Sequence, residues 1–395
     1  MLNICMIVYS YYPNDVRVRK EAEALAEKGY SIDIICLKNN GELKEQVING
    51  VHVYRFDMKR QRKGKLTYLW QYFIFIIRSF LMVNLLDLRK KYSIVHIHNM
   101  PDILILSGIV QKMKGAKLVL DLHDPMPEVY MTKYSLSSDH IIIKTLKLFE
   151  RVCVKLADIV LTPNIAFQNL FVSRGCPKDK IHIIMNSPQE SIFFKDIQKN
   201  ANCVIRQDLF DGKHFIIMFH GTIVERHGLD TAVEAMVHLK KHIPNVAFLV
   251  FGEGDFVDTF LKLREKHDLT EVIHYYGHVP IEEIVTVIPK IDVGLIPNKL
   301  SPFTDLNLPT RIFEYLCLGK PVIVPRTKGI LDYFNEEDIY YFESDNPENL
   351  CSVILDVHSN EKKRQEIIMR GIRVYRRHTW DNERERLLKL VDNLV

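Results

Sequence analysis

Two successive series of short, apolar, β-rich runs alternate with helical patterns along the chain, and this alternation restricts the fold more than any single motif. The first series is Asn3 to Val8, SIDIIC, IVHIH (Ile94 to His98), KLVLDLH (Lys117 to His123) and DIVLTP (Asp158 to Pro163). The second is FIIMFHG, NVAFLVFGEGD, VIHYYG, DVGLIP, PVIVP and IYYFE. Strands that are apolar almost throughout are buried on both faces, so each series predicts a parallel sheet covered by helices. After Asn186 the chain to about Gly212 is polar and irregular, and a hinge is expected near Ser187 to Gly212. At 395 residues it also exceeds one comfortable hydrophobic core. The expectation is two α/β domains, 1–190 and 191–373, with a helical tail, 374–395, crossing back onto the first.

Composition narrows the partners. A net charge of +4 is too mild for a dedicated nucleic-acid binder but allows a local anionic ligand. The seven cysteines are scattered and form no CxxC pair, which points to reduced thiols and a cytoplasmic setting. The apolar start ICMIVYSYYP lacks a basic leader and reads as a first strand rather than a signal peptide.

One segment departs from the pattern. Lys59, Arg60, Arg62, Lys63 and Lys65 precede LTYLWQYFIFIIRSFLMVNLLDL, whose only charges are Arg78 and Asp87. The stretch is long enough to span a bilayer, but a central arginine costs about 2.5–3.5 kcal/mol on insertion scales, and spanning would split the first sheet. Residues 59–88 then form either an amphipathic helix lying on an anionic leaflet or an ordinary buried helix behind a solvated basic loop.

The chemistry is read partly by exclusion. No GxGxxG follows the first strand, and there is no GxxxxGK[ST], DxD or HExxH, so neither a redox cofactor nor a metal is expected. A phosphate-bearing ligand would be held by backbone, helix ends and arginines. LPTRIFEYLCLGKPVIV, Leu308 to Val324, reads as a short helix opened by Pro309 and Thr310, closed by Gly319 and followed by a buried strand. Arg311 and Glu314 share one face of that helix, either for a phosphate and a ribose or as an exposed ion pair. HGTIVERHG, His220 to Gly228, is a strand-to-helix turn whose Gly221, Thr222 and Arg226 are further candidates. Gly252 ends another strand. In the first half, His123 and Asp124 end a strand, Asn99 follows IVHIH, and Asp15 and Arg17 sit in the first loop.

Taken together, NDVRVRKEAEALAEKGYSIDIIC, IVHIHNMPD, LDLHDPMPE, ADIVLTPN, IIMNSP, HGTIVERHGLD, VFGEGD, YYGHVP, LPTRIFEYLCLGKPVIV and HTWDNE resemble glycosyltransferase family 4 along nearly the whole chain. These are retaining, nucleotide-sugar-dependent enzymes of GT-B architecture, two Rossmann-like domains with a donor and acceptor cleft between them. The resemblance implies that Glu314 holds the donor ribose. It also implies that backbone at Leu308 to Thr310, including Pro309 and Thr310, approaches the donor pyrophosphate or sugar, and that Gly277 to Val279, including His278, frame the base. Arg226 would face the diphosphate, with Arg311, and His123 would sit by the transferred sugar. Catalytic roles then fall to His123, Arg226 and Glu314, donor contacts to Gly221, Thr222 and Gly252 as well, and acceptor contacts to Asp15, Arg17, Asn99 and Asp124. Two departures stand out: Leu306 occupies the place of a second acid eight residues before Glu314, leaving Asp305 as the substitute, and His227 replaces a usual lysine. The expected partners are a nucleoside-diphosphate sugar, a lipid-linked or saccharide acceptor of surface-polysaccharide assembly, and an anionic membrane surface on the cytoplasmic side. A nucleotide-sugar epimerase of the same fold and a non-catalytic sugar-nucleotide-binding subunit are the alternatives.

Overall fold

The computed structural model describes residues 2–58, 65–194 and 206–394. The chain forms two compact units, Met1–Asn186 with Asp381–Val395, and Ser187–Trp380.

The first unit is built on eight strands: β1 (Asn3–Tyr11), β2 (Ser31–Leu37), β3 (Glu45–Ile48), β4 (Val51–Phe56), β5 (Ile94–His98), β6 (Lys117–Asp121), β7 (Ile159–Thr162) and β8 (Ile181–Ile183). Their order is β3-β4-β2-β1-β5-β6-β7-β8, parallel except where β3 runs against β4. All five strands expected from the apolar runs are present. The β3–β4 hairpin and β8 are additions. Its Asn49 and Gly50 both take positive φ, 46° and 79°, the backbone that a tight Asn-Gly hairpin turn requires. From β1 the chain first builds toward β2 and β4, then returns to lay β5 on the other side, so the winding reverses between β1 and β5. In open α/β sheets such a reversal opens a crevice at the carboxyl ends of the strands.

The C-terminal helix, Trp380–Asp392, packs on this unit: Leu387 and Val391 are buried in its core with Leu25 and Ile184, and Glu383 accepts the Met185 N–H at 3.0 Å. On the helix Lys65–Lys90 the rings of Tyr72 and Phe75 meet Tyr9 edge-on at 4.9 and 5.1 Å. Of this region's basic residues, Lys59, Arg60, Arg62 and Lys63 lie outside the described residues, as does the side chain of Lys65.

The second unit contains β9 (Phe215–His220), β10 (Val246–Phe251), β11 (Ile273–Tyr275), β12 (Val293–Leu295), β13 (Val322–Pro325) and β14 (Tyr340–Phe342). These coincide with the second series of apolar runs. The sheet is parallel, in the order β11-β10-β9-β12-β13-β14, and its winding reverses between β9 and β12. Phe219, Phe248, Val250 and Leu295 from the strands pack with Leu229, Met236 and Ile354 from the helices.

The LPTRIFEYLCLGKPVIV unit folds as helix then strand, with a shift at its start. The helix is Arg311–Cys317, Thr310 is its N-cap residue, and Pro309 stands outside it. Proline therefore closes the preceding loop here instead of opening the first turn. Gly319, with φ +71°, follows the helix end as its lack of Cβ allows.

Candidate functional site

In the second unit the candidate donor residues gather at the carboxyl ends of β9, β10 and β11. Two glycines make this possible. Gly252 has φ +137°, and a Cβ on it would fall 1.8 Å from the Gly221 carbonyl oxygen; one on Gly254 would fall 2.0 Å from that of Ile223. The two loops can therefore zip together, with Gly221 N–H donating to Phe251 O at 3.0 Å and Ile223 N–H to Glu253 O at 2.9 Å. Gly252 N–H donates in turn to Gly277 O at 2.6 Å, which draws in the loop of His278 and Val279.

His220, the last residue of β9, joins this loop to the Arg311–Cys317 helix. Its Nε2 lies 2.6 Å from Glu314 Oε2, and its Nδ1 lies 2.9 Å from the hydroxyl of Tyr315, which donates to Met218 O at 2.9 Å. Glu314 thus has one carboxylate oxygen fixed by His220 and Oε1 left as a hydrogen-bond acceptor. Arg311 donates from Nη1 to the His220 carbonyl at 2.7 Å, and its guanidinium lies 4.6 Å from the centroid of Phe219. The simple Arg311–Glu314 ion pair is not formed. Burial lowers Arg311 from the usual arginine value, and its hydrogen bond goes to a neutral carbonyl, so its positive charge lacks a carboxylate partner among the described residues. An anion such as a phosphate would complete it.

Arg226 lies in the short turn Glu225–His227, its guanidinium 5.7 Å from the Phe303 ring centroid. His227 Nδ1 is 2.6 Å from Thr222 O and donates to it; burial, followed by the nearby charge of Arg311, pushes this imidazole down to about 3. Where a lysine would bring charge, this chain holds a neutral ring. Asp305, the proposed substitute for the missing acid, has other work: Oδ1 accepts from Lys328 N–H at 3.2 Å and Oδ2 pairs with the Lys328 ammonium at 3.2 Å. Pro309 is buried and Thr310 half-buried just before the helix.

In the first unit the candidates lie at the ends of β1, β5 and β6, over a buried ionic cluster. Arg17 is buried and pairs with both Asp121 and Glu21, the latter at 3.3 Å. It therefore reaches inward, toward the sheet. Asp121 Oδ2 also lies 3.1 Å from His98 Nδ1 and 2.9 Å from His123 Nε2. Although burial opposes it, the charge of Arg17 and the imidazoles hold Asp121 well below the usual carboxylate range, whereas burial and the charge of Asp121 raise Glu21. Asp121 is thus the ionised anchor of the cluster. With its Nε2 directed at Asp121, His123 has Nδ1 as its remaining ring nitrogen, and its side chain is partly exposed. Asn99 is buried, donating to Asp102 at 2.9 Å and Asp124 O at 2.8 Å and accepting from His123 N–H at 2.8 Å. It shapes the loop around His123. Asp15 caps the first helix through Val18 N–H at 3.4 Å.

Among the described residues, the group whose ligand-type atoms could surround a metal ion is Glu21, His96, His98 and Asp121, all within 4.8 Å of one another. The guanidinium of Arg17 already stands as the cation between the two carboxylates. Sequence reading missed Asp121, His98, His220 and Tyr315. Period two gives the first pair away: His96 and His98 share one face of β5, Asp121 lies in register beside His98 on β6, and His123 follows two residues on. Nothing comparable marks His220, whose partner is 94 residues away.

Two doubly wound α/β units in tandem, the second holding an acid on a short helix against the loop of its central strand, define the GT-B class. Residues 204–374 match the family profile "Glycosyl transferases group 1", and residues 15–187 match the "Glycosyl transferase 4-like domain". The chain belongs to the GT-B glycosyltransferases, and the match of its first half agrees with family 4. A curated relative, the putative teichuronic acid biosynthesis glycosyltransferase TuaH of Bacillus subtilis, is 26% identical over 191 residues, which is 47% of this chain and 45% of that one. The match therefore spans under half of that relative. Among solved structures, sucrose-phosphate synthase from Thermosynechococcus elongatus aligns with TM-score 0.77 at 16% identity over 100% of this chain and 99% of that one. Anabaena HepE in complex with UDP gives 0.72 at 14%, over 100% of each.

Proposed function

We propose that the protein is a glycosyltransferase that moves a sugar from a nucleoside-diphosphate sugar to a saccharide acceptor in polysaccharide biosynthesis, keeping the anomeric configuration. One observation carries the reading: the Arg311 charge without a carboxylate and the Glu314 carboxylate held by His220 stand side by side at the reversal point of the second sheet. That pairing suits a pyrophosphate and a ribose. UDP, bound by HepE, is the first nucleotide to try, and the teichuronic acid setting of TuaH supports a surface-polysaccharide acceptor, which on a growing chain would be lipid-linked.

In this reaction the bond from the anomeric carbon to the diphosphate oxygen breaks and a bond to the acceptor hydroxyl forms on the same face. The hydroxyl proton passes to a phosphate oxygen, and the nucleoside diphosphate leaves. The protein's task is to neutralise the charge growing on the leaving group, which falls to Arg311 and Arg226, and to position the reactants. Tyr315 and His220 act through Glu314, by fixing it. His123, carried on the first unit, would present Nδ1 to a sugar hydroxyl. No step calls on a metal.

The test is a thermal-shift screen of UDP-, GDP- and other nucleotide sugars, followed by turnover with saccharide acceptors. Glu314→Ala is expected to abolish the shift given by the best nucleotide, a loss of about 2–3 kcal/mol of binding for a charged hydrogen-bond acceptor. A full shift in that variant would remove the ribose assignment. Incubating the protein with the nucleotide sugar alone separates the epimerase alternative, because only that activity isomerises the sugar without an acceptor.

A further inference from the structure

Of the twenty large apolar side chains exposed among the described residues, thirteen fall on one side of the first unit. Six are on the helix Lys65–Lys90, five on the helix Ile141–Leu156, and two, Leu106 and Met113, between them. The 3-10 turn Asp102–Gly108, which carries Leu106, packs against both helices. So uneven a distribution marks a surface that meets something apolar.

On the first helix Trp70, Phe73, Ile77, Leu81, Leu85 and Leu88 recur at i, i+3, i+7, i+11, i+15 and i+18, one stripe about 120° wide by helical geometry. The opposite face, with Phe75, Val83 and Leu86, is buried. By length and composition Trp70–Lys90 could cross a membrane, but with a third of its apolar stretch buried against β1, β2 and the turn Asp102–Gly108 it can only lie along one. On the second helix Ile141, Ile142, Leu148, Phe149 and Val152 form a similar stripe, while Ile143, Cys153 and Val154 face inward.

Charge names the occupant. The exposed charges on these helices are basic: Arg78 and Arg89 on the first, Lys144, Arg151 and Lys155 on the second. Their acids are turned inward, Asp87 to Lys114 at 2.7 Å and Glu150 to Arg174 at 3.0 Å. Asp139, just before the second helix, is exposed and lies 3.6 Å from Lys144. A second copy docking face to face would bring like charges together. We propose that the two helices form a single face that lies on an anionic lipid bilayer, the apolar stripes entering the acyl boundary and the lysines and arginines reaching the headgroups. This goes beyond the transferase reading by assigning the contact to two helices, the second of them outside the basic-aromatic segment that the sequence marks.

Trp70 is a built-in reporter, being 61% exposed where the other tryptophan, Trp380, is buried. The purified full-length chain is floated with vesicles of equal parts phosphatidylglycerol and phosphatidylcholine, and with phosphatidylcholine alone. Flotation with the anionic vesicles and a blue shift of Trp70 emission are expected. Ile141→Ser/Leu148→Ser/Phe149→Ser on one helix and Leu81→Ser/Leu85→Ser on the other alter exposed side chains, so each variant keeps the parent's melting temperature. Each should reduce the bound fraction about tenfold or more, as loss of two or three inserted side chains implies. The proposal fails if either variant floats like the parent, if neutral vesicles bind equally well, or if the parent is a dimer in solution that these substitutions dissociate. No nucleotide or acceptor is present, so failure here leaves the transferase reading untouched.

Discussion

Single residues set the charge of both sites, and two can be tested by titration or stability. His227 stands where a lysine is usual, and its half-buried imidazole is pushed down to about 3 by desolvation and then by the nearby charge of Arg311. An unfolded imidazole takes up its proton near 6.5, so between about 6.5 and 3 the unfolded chain binds the extra proton and stability falls as the pH falls. Melting curves of the parent and His227→Gln from pH 7 to pH 4 should therefore converge with acid, the parent losing more. Parallel curves would show that the ring is free to protonate in the folded state. In the first unit, Asp121 neutralises Arg17 and accepts from two imidazoles. Asp121→Asn leaves a buried guanidinium with only Glu21, and a loss of about 3–5 kcal/mol in chemical unfolding is expected. A loss under about 1 kcal/mol would mean that the cluster contributes little to the fold.

At the scale of elements, loops rather than strands assemble the donor side. Gly252 illustrates the constraint: its φ of +137° and the 1.8 Å approach of the Gly221 carbonyl exclude any side chain. Gly252→Ala is expected to part the two loops, lowering nucleotide affinity and destabilising the second unit by about 1–3 kcal/mol or more, the range for backbone forced into a disfavoured region. An unchanged nucleotide-induced thermal shift would show that the zipped loops are not needed for binding. The same level explains what the sequence could reveal. Eleven strands were readable because parallel strands covered on both faces are continuous apolar runs. The β3–β4 hairpin escaped because it is an edge element with exposed Val47 and Leu43 before it, although its Asn-Gly turn was a usable signal. The approximate place of the donor site was readable from Arg311 and Glu314, since both types on one helix face suit phosphate and ribose. Their actual partners were not, because His220 and Tyr315 join them through contacts about 90 residues apart in the chain, which no local period encodes.

For the molecule as a whole, the last helix is what the order of elements alone leaves unexplained: a chain that has completed its second sheet returns to the first unit to finish. Trp380–Asp392 does so with a buried apolar pair, Leu387 and Val391, and with Glu383, whose carboxylate accepts the Met185 N–H just before the first unit ends. Arg384 adds an exposed pair with Glu27 at 2.9 Å, which on the surface contributes little. The stabilising weight therefore rests on the apolar contacts, so the first unit should not reach full stability without its distant tail. Leu387→Ala is expected to cost about 2–5 kcal/mol, the range for truncating a fully buried leucine. Because Leu387 lies in the core of the first unit, the loss should appear in that unit's transition, while the nucleotide-induced shift of the second unit persists. Hydrogen exchange on the variant separates the two, with faster exchange in β1 and β2 and parental rates in β9 and β10. Equal loss of protection in both sheets would instead mean that the units unfold as one cooperative body, and that the returning helix stabilises the whole chain.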